Sequence, residues 1–436
     1  MTKKQLYIII GIFAIITLGF LFAAFVISQG EKTGTESKNP ISNFFPFGKS
    51  SDTENTPGGD GANNTDTTGA SGGSTDFTKK NIPKKNLQLL RMVSKGPISG
   101  MYATGKTGKT YIDYIERETG NVFETKLEDM LSNRLSNSLM PKISEAFFAN
   151  KGKSVVVRYL KSRGDTISTF ILDISKAVPE EEGSASSTEN SLPNGKFLTQ
   201  GISDIKISSD EKTAFYLTRS GNFNDRNSFG SVYDFEKNTT SEVFQSPFTE
   251  WLPVSVSADD VILQSKASQK VPGYLYSFNF KTGVLQKIIG GPSGLTALPS
   301  PDRSNILYSA STKGGIGLFV YNTKTGTSIK VSVSTLPEKC VWKNDGLSLY
   351  CAIPKSIPSS EYPDVWYQGV VSFTDDLWQI DARTGKSSTV FVPSSFTSQA
   401  MDMTTLTLSQ TGDFLFYINK KDSSLWAFDL AGSGLE

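Results

Sequence analysis

The side chains that could do chemistry are few in kind. The chain of 436 residues contains no His, so the group best suited to proton transfer near neutral pH is missing. The commonest ligand of catalytic zinc and every His-containing triad go with it. Carboxylates, Lys, Ser and Tyr remain, and paired acids are the chemistry of glycoside cleavage. Two adjacent acid pairs, Asp259-Asp260 and Asp375-Asp376, fall at predicted turns, and nothing in their spacing puts either across a cleft. Lys106-Thr107-Gly108-Lys109-Thr110 resembles a phosphate loop only superficially, because the spaced glycines and the following helix are absent. Gly290-Gly291-Pro292-Ser293-Gly294 lacks the Gly-x-Ser-x-Gly order of a nucleophile elbow and reads as a turn. Asn222–Asn227 alternates oxygen ligands without the Gly and distant Glu of a calcium loop, so a hairpin loop is the default there. No catalytic residue, metal ligand or cofactor is expected.

Two further groups stand out. Cys340 and Cys351 flank Asn344-Asp345-Gly346, and in a hairpin centred between 345 and 346 they face each other. A structural disulfide is favoured, and two reduced core cysteines are the alternative. Tyr362, Trp366 and Tyr367 lie in an insertion over 354–374 that also carries Phe373, Pro354, Pro358 and Pro363. Buried aromatic anchors dominate many interfaces, so these three are candidate binding residues. The competing reading is that they cap their own blade.

The elements that must hold these groups are strands. From about residue 87 a unit recurs: an apolar strand ending in an Asp-like position, a polar turn that is often Thr-Gly, then a short strand. Clear copies are Leu275–Gly283, Leu318–Gly326 and Leu377–Gly385. Gly accepts the positive φ that such a turn demands. A second signal keeps step with it, as in Ser300-Pro301-Asp302-Arg303 before Ile306–Tyr308 and Lys343-Asn344-Asp345-Gly346 before Leu347–Tyr350. Asp259, Asp302 and Asp345 are spaced by 43 residues, within the period of a four-stranded propeller blade.

Seven units result, the first with strands near 98–103, 109–116, 121–127 and 132–137. The seventh unit lacks a fourth strand, and Leu87–Val93 precedes the first unit without a partner. That segment is expected to supply the missing strand and close the ring. Six or eight blades are the rivals. Leu127, Met130, Leu131, Leu135 and Leu139 recur at three-to-four spacing, so a short helix over 127–137 is an alternative to strand. Residues 177–195 read as a surface loop.

The N-terminus reads differently. Leu6–Ile27 is a run of 22 mainly apolar residues after Lys3 and Lys4, long enough to span the ~30 Å bilayer core. An uncleaved signal anchor is expected, with residues 1–28 as cytoplasmic tip and span. Everything beyond would then lie outside the cytoplasm, where a disulfide is permitted. Residues 29–80 are dominated by Gly, Ser, Thr, Asn and Asp and read as a disordered tether, with 81–436 as the propeller.

The repeated strand, Pro-Asp-like turn, strand, Tyr/Trp, Asp-x-x-Thr-Gly pattern resembles TolB/WD40-like propeller repeats over about 87–432. Gly108–Glu124 together with Lys142–Phe148 is similar to single-anchor propeller proteins of small uncultured bacteria. That resemblance implies an all-β propeller and supplies no catalytic residue. The expectation is therefore a membrane-anchored, extracytoplasmic binding or scaffold module with no catalysis. It would contact the lipid bilayer through residues 6–27 and a protein or envelope component through the propeller. Nucleic acid is not expected, since charge is balanced at +1. One alternative is an enzyme acting on envelope carbohydrate or with a cofactor, using carboxylates at the propeller channel; convergent Asp, Glu and Tyr at one end would favour it. A second is a purely structural cell-surface protein.

Overall fold

In the computed structural model the described residues are 89–433, apart from 107, 137–139, 161–166, 175–193 and 221–225. The chain divides after Asn81, and the propeller belongs to the unit that begins at Ile82.

Seven four-stranded antiparallel sheets form seven blades. Blades 1 to 6 span 98–134, 143–197, 202–246, 251–293, 297–330 and 340–391. Each runs in simple chain order from its first strand to its fourth. First strands of neighbouring blades touch, except that Ala297–Pro299 of blade 5 meets the turn Pro337–Lys339 that leads into blade 6, so they surround the central axis. Antiparallel order sends alternate loops to opposite ends. The lower face therefore carries the turns between first and second strands, and the upper face those between second and third.

Blade 7 is built from both ends of the described chain. Its first three strands are Met403–Leu408, Phe414–Asn419 and Leu425–Asp429, and Leu90–Ser94 is the fourth. Leu90 pairs with Phe428, and Met92 with Trp426. Arg91 locks the junction: its guanidinium meets Asp429 at 2.7 Å and donates to the Leu127 carbonyl of blade 1 at 2.8 Å. A chain beginning at Lys95 should leave Leu425–Asp429 as an open edge, a template for self-pairing. Such a chain is expected to elute as aggregate or oligomer in size-exclusion chromatography, and a monomer with native stability would refute this.

Local chemistry explains the repeat. Asn279 Oδ1 accepts from the Lys281 and Thr282 amides at 3.0 and 2.9 Å, and Asn322 Oδ1 from Lys324 and Thr325 at 3.1 and 3.0 Å. Gly283 and Gly326 then turn the chain at φ 67° and 68°. The Asp-like position is thus an Asx cap on each outer hairpin. The lower turns use Ser hydroxyls in the same way: Ser300 donates to Asp302 and Ser208 to Asp210, at 2.7 and 2.6 Å.

Apolar faces of adjacent blades pack in pairs. Val156 and Ile171 of blade 2 meet blade 3, Leu307 and Val320 of blade 5 meet blade 6, and Phe416 and Ala427 of blade 7 meet blade 1. Where a helix was the alternative, over 127–137, a turn leads into strand Leu131–Arg134. Its edge pairs with Phe123–Lys126, so ladder bonds outweigh the local three-to-four spacing.

The expected signal anchor is corrected here. The α-helix Asp364–Tyr367 is a single turn, and among the described residues no helix is long and apolar enough to cross a membrane. Leu6–Ile27, the tether 29–80 and most of the loop 177–195 lie outside those residues. The bilayer partner at 6–27, the single-pass topology and the extracytoplasmic location lose their support with the anchor. The fold that stands is an all-β seven-bladed propeller.

Candidate active site between blades 1 and 2

Strands Lys109–Glu116 and Val122–Lys126 form the middle of blade 1, and Asp113 lies directly opposite Glu124. The Glu116 amide donates to the Asn121 carbonyl and the Leu127 amide to the Thr110 carbonyl, both at 3.0 Å. Bonded pairs alternate with non-bonded ones, so counting inward makes 113/124 a non-bonded pair. In such a pair the side chains approach most closely, with Cβ atoms roughly 4.5–5.5 Å apart. Among the described strand pairs no other sets acid against acid.

The environment makes the pair unusual. Two residues further along the same face stand Ile115 and Val122, buried with Met140 and Ile143 against Val155 and Phe170 of blade 2. The middle positions facing the next blade are apolar in blades 2, 5 and 7. In blade 1 they are Asp113 and Glu124, only 6% and 8% exposed. Both also engage other neighbours. Like charges placed opposite each other destabilise a sheet, so packing alone would not select them.

The acids line a cleft of about 620 Å³ at the lower face, whose lining also includes Tyr102, Thr104, Lys151 and Gln410. The lower turn of blade 2 passes over it. Asn150, Lys151 and Gly152 take φ of 52°, 56° and 77° in succession. A Cβ on Gly152 would lie 3.0 Å from the Tyr102 ring and 3.8 Å from Asp113 Oδ2, so only Gly keeps the cleft open there. Glu211 clamps the turn: its Oε2 accepts from the Tyr102 hydroxyl and the Lys151 amide, each at 2.9 Å, and its carbonyl from the Asn150 amide at 2.8 Å. Burial and the Glu211 carboxylate both push the Tyr102 phenol up, so it remains a proton donor across the working pH range.

A second charged group lies between blades 6 and 7. Lys339, wholly buried, reaches Asp375 at 2.8 Å, Asp402 at 2.5 Å and the Met403 carbonyl at 2.9 Å. Its ammonium stands 5.4 Å from both the Trp366 and Phe373 rings. Asp402 also accepts from Ser372 and from the Phe373 amide, each at 3.0 Å. Burial raises the Asp375 carboxyl to about 6 against the pull of Lys339. For Asp402 burial is outweighed by Lys339 and these donors, which hold it low. No opening reaches this cluster among the described clefts, so it reads as a lock between blades.

The first strand of blade 3 carries Asp204 and Lys206 on one face. Burial raises Asp204 to about 6, while Lys206 stands exposed beside it. A carboxyl whose pKa is higher folded than unfolded binds its proton more tightly in the native state. Its stabilisation is full below pH 3.8 and is lost as pH rises through about 6. Asp204→Asn should therefore flatten the fall in melting temperature between pH 3.8 and about 6. Parallel melting curves for the two proteins would refute this.

The other sequence candidates occupy different places. Tyr362 and Trp366 are buried with Phe373 beneath the upper-face insertion, and Tyr367 is 46% exposed with its hydroxyl donating to Glu338. Cys340 and Cys351 are strand partners joined by a disulfide with S–S 2.06 Å. Asp259 pairs with Lys281 at 2.8 Å, Asp260 with Arg303, and Asp376 with Lys355 at 3.4 Å. None of these acids faces another across a cleft. The sequence candidates do not include Asp113 and Glu124. Pairing the strands about the turn at 118/119, by the logic that pairs the two cysteines, brings them together.

No protein family matches the chain. No curated protein matches it either. Solved structures share the fold at low identity. An oligogalacturonate lyase from Vibrio parahaemolyticus is 11% identical, covers 76% of this chain and 97% of its own, and has a TM-score of 0.47. TolB from Acinetobacter baumannii is 11% identical, covers 81% and 86%, and has a TM-score of 0.39. An acylaminoacyl peptidase from Pyrococcus horikoshii is 11% identical, with 74% and 49% covered and a TM-score of 0.46. Such likeness concerns the propeller architecture alone.

The expectation of a binding module without catalysis is corrected by the site itself. Convergent Asp, Glu and Tyr side chains meet in one open cleft, the arrangement that favours an enzyme over a scaffold. It lies between blades 1 and 2 at the lower face.

Proposed function

We propose that this propeller is a carbohydrate-active enzyme in which Asp113 and Glu124 act as the paired carboxylates. The observation that carries the reading is their placement as a buried, non-bonded cross-strand pair lining an open cleft. One group, ionised, attacks the anomeric carbon as the other, protonated, gives its proton to the leaving oxygen and the glycosidic bond breaks; the second group then takes a proton from the water that displaces the first from the sugar. Carboxyl groups about 5–5.5 Å apart suit this double displacement with retained configuration and inversion needs roughly 6.5–9.5 Å, so the close cross-strand placement of the pair favours retention. Tyr102, Thr104 and Gln410 offer hydroxyl and amide groups that match sugar hydroxyls. The chain's lack of His favours carboxylate chemistry over a Ser-His route. The repeats are also read as of the TolB/WD40-like kind, on their strand and Asx-turn pattern.

The test is hydrolysis of a panel of neutral polysaccharides and aryl glycosides, with the anomeric form of the product followed by NMR. Cleavage with retention is expected, with the cleavage of polysaccharides lost in Asp113→Asn. No cleavage of any substrate, or full activity in that variant, would overturn the proposal.

A further inference from the structure

The lower turn of blade 2 has a cleft on each side. Lys151, Gly152 and Lys153 line the one that holds the acid pair. Asn150 and Ser154, the residues on either side of them, line a second cleft of about 320 Å³ between blades 2 and 3. The two clefts thus share one wall, a single turn thick, and Glu211 holds that turn in place.

The second cleft differs in chemistry. Asn150, Asn194 and Asn238 bring three carboxamides to it, each offering both donors and acceptors. The Tyr233 hydroxyl donates to Asn238 Oδ1 at 2.8 Å, and Lys196 donates to the Asn238 carbonyl at 3.1 Å. The Lys196 ammonium lies 4.5 Å over the Tyr233 ring, and Tyr233 rests edge-on against Phe235 at 5.1 Å. The lining is therefore an aromatic floor beside three carboxamides, of which that of Asn238 is fixed by Tyr233, with Asp173 and Lys196 also on the wall. Groups of this kind recognise vicinal hydroxyls, whose paired donors and acceptors they match, better than they recognise a lone charge.

We infer that the second cleft is a subsite for sugar residues beyond the cleaved bond, and that the substrate is an uncharged oligosaccharide crossing the 150–153 turn. This rests on the glycoside-cleaving reading of the first cleft. It adds a direction for the bound chain and a length dependence that the acid pair alone does not require.

The experiment uses the full chain carrying Asp113→Asn, so that ligands survive, and calorimetric titration with cello-, xylo-, malto- and chito-oligosaccharides of two to six units. Asn194→Ala and, separately, Lys196→Met are then added. Asn238→Gly is a further variant that tolerates the positive φ of 58° at that position. Binding of the longest ligand of the series that binds should weaken at least tenfold, with the disaccharide unchanged. Equal weakening at both lengths, no change at either, or no binding in any series would overturn the subsite. The two proposals fail separately. Length-dependent loss without cleavage by the unsubstituted chain would uphold the subsite and sink the enzyme reading. Cleavage without length dependence would do the reverse.

Discussion

Asp113→Asn should lower glycoside turnover on the order of a thousandfold while the protein melts within a few degrees of the parent. Loss of a positioned acid or base removes about 10²–10⁴ in rate, and the amide is isosteric with the carboxyl. Glu124→Gln should cause a comparable loss on substrates with poor leaving groups. The two variants can be told apart chemically. The one lacking the proton donor should recover on aryl glycosides whose leaving group needs no proton. The one lacking the nucleophile should instead recover with added azide, giving a glycosyl azide of inverted configuration. The double variant should be little worse than the worse single one, because the pair acts as a unit. Stability is the control: a collapse in melting temperature with either single variant would make the pair a structural feature.

Lys339→Met should be the most destabilising single change in the upper half of blades 6 and 7. It leaves Asp375 and Asp402 buried with their shared cation gone. Removing one partner of a buried ion pair costs about 3–5 kcal/mol, which for a domain of this size lowers the melting temperature by roughly 4–7 °C. Trp366 and Phe373 pack over the same ammonium, so the insertion should loosen as well. Hydrogen exchange over 362–373 would report that loosening. Adding Asp375→Asn should recover part of the loss, since one uncompensated carboxylate is removed. Differential scanning calorimetry of the two variants checks both claims, and an unchanged melting temperature in Lys339→Met would refute them.

What could be read from the sequence tracks the range of the interactions. Blade count, the closing strand and the outer hairpins rest on Asx caps and left-handed Gly within four residues of each other, as at Asn322 and Gly326. Such signals survive in one dimension. The facing of Cys340 and Cys351 comes from the centre of one turn. Asp113 and Glu124 obey the same arithmetic, yet an acid in a strand usually marks a solvent face. Only the docking of blade 2 reveals that this face is enclosed. The Lys339 cluster is out of reach of sequence altogether. Its members come from the 3-10 turn Pro337–Lys339, from strand Asp375–Asp381 and from the segment before Met403, and only the docking of blade 7 on blade 6 gathers them. Aromatic residues at 362–367 stand out by type, whereas their burial depends on an insertion folding back on its own blade.

The strand Leu90–Ser94 sets a clock on biosynthesis. It leaves the ribosome before any blade, but its partner Leu425–Asp429 follows only after all the other strands of the ring. At about 5–20 residues per second the early strand waits roughly 15–70 s with its hydrogen-bonding edge unmet. Six blades can stack in that interval, and the ring still cannot shut. Until then the nascent chain is an open arc with a sticky lip at each end, and two chains on one messenger could exchange lips. Whatever shields Leu90–Ser94 during that wait decides how many closed rings each message yields.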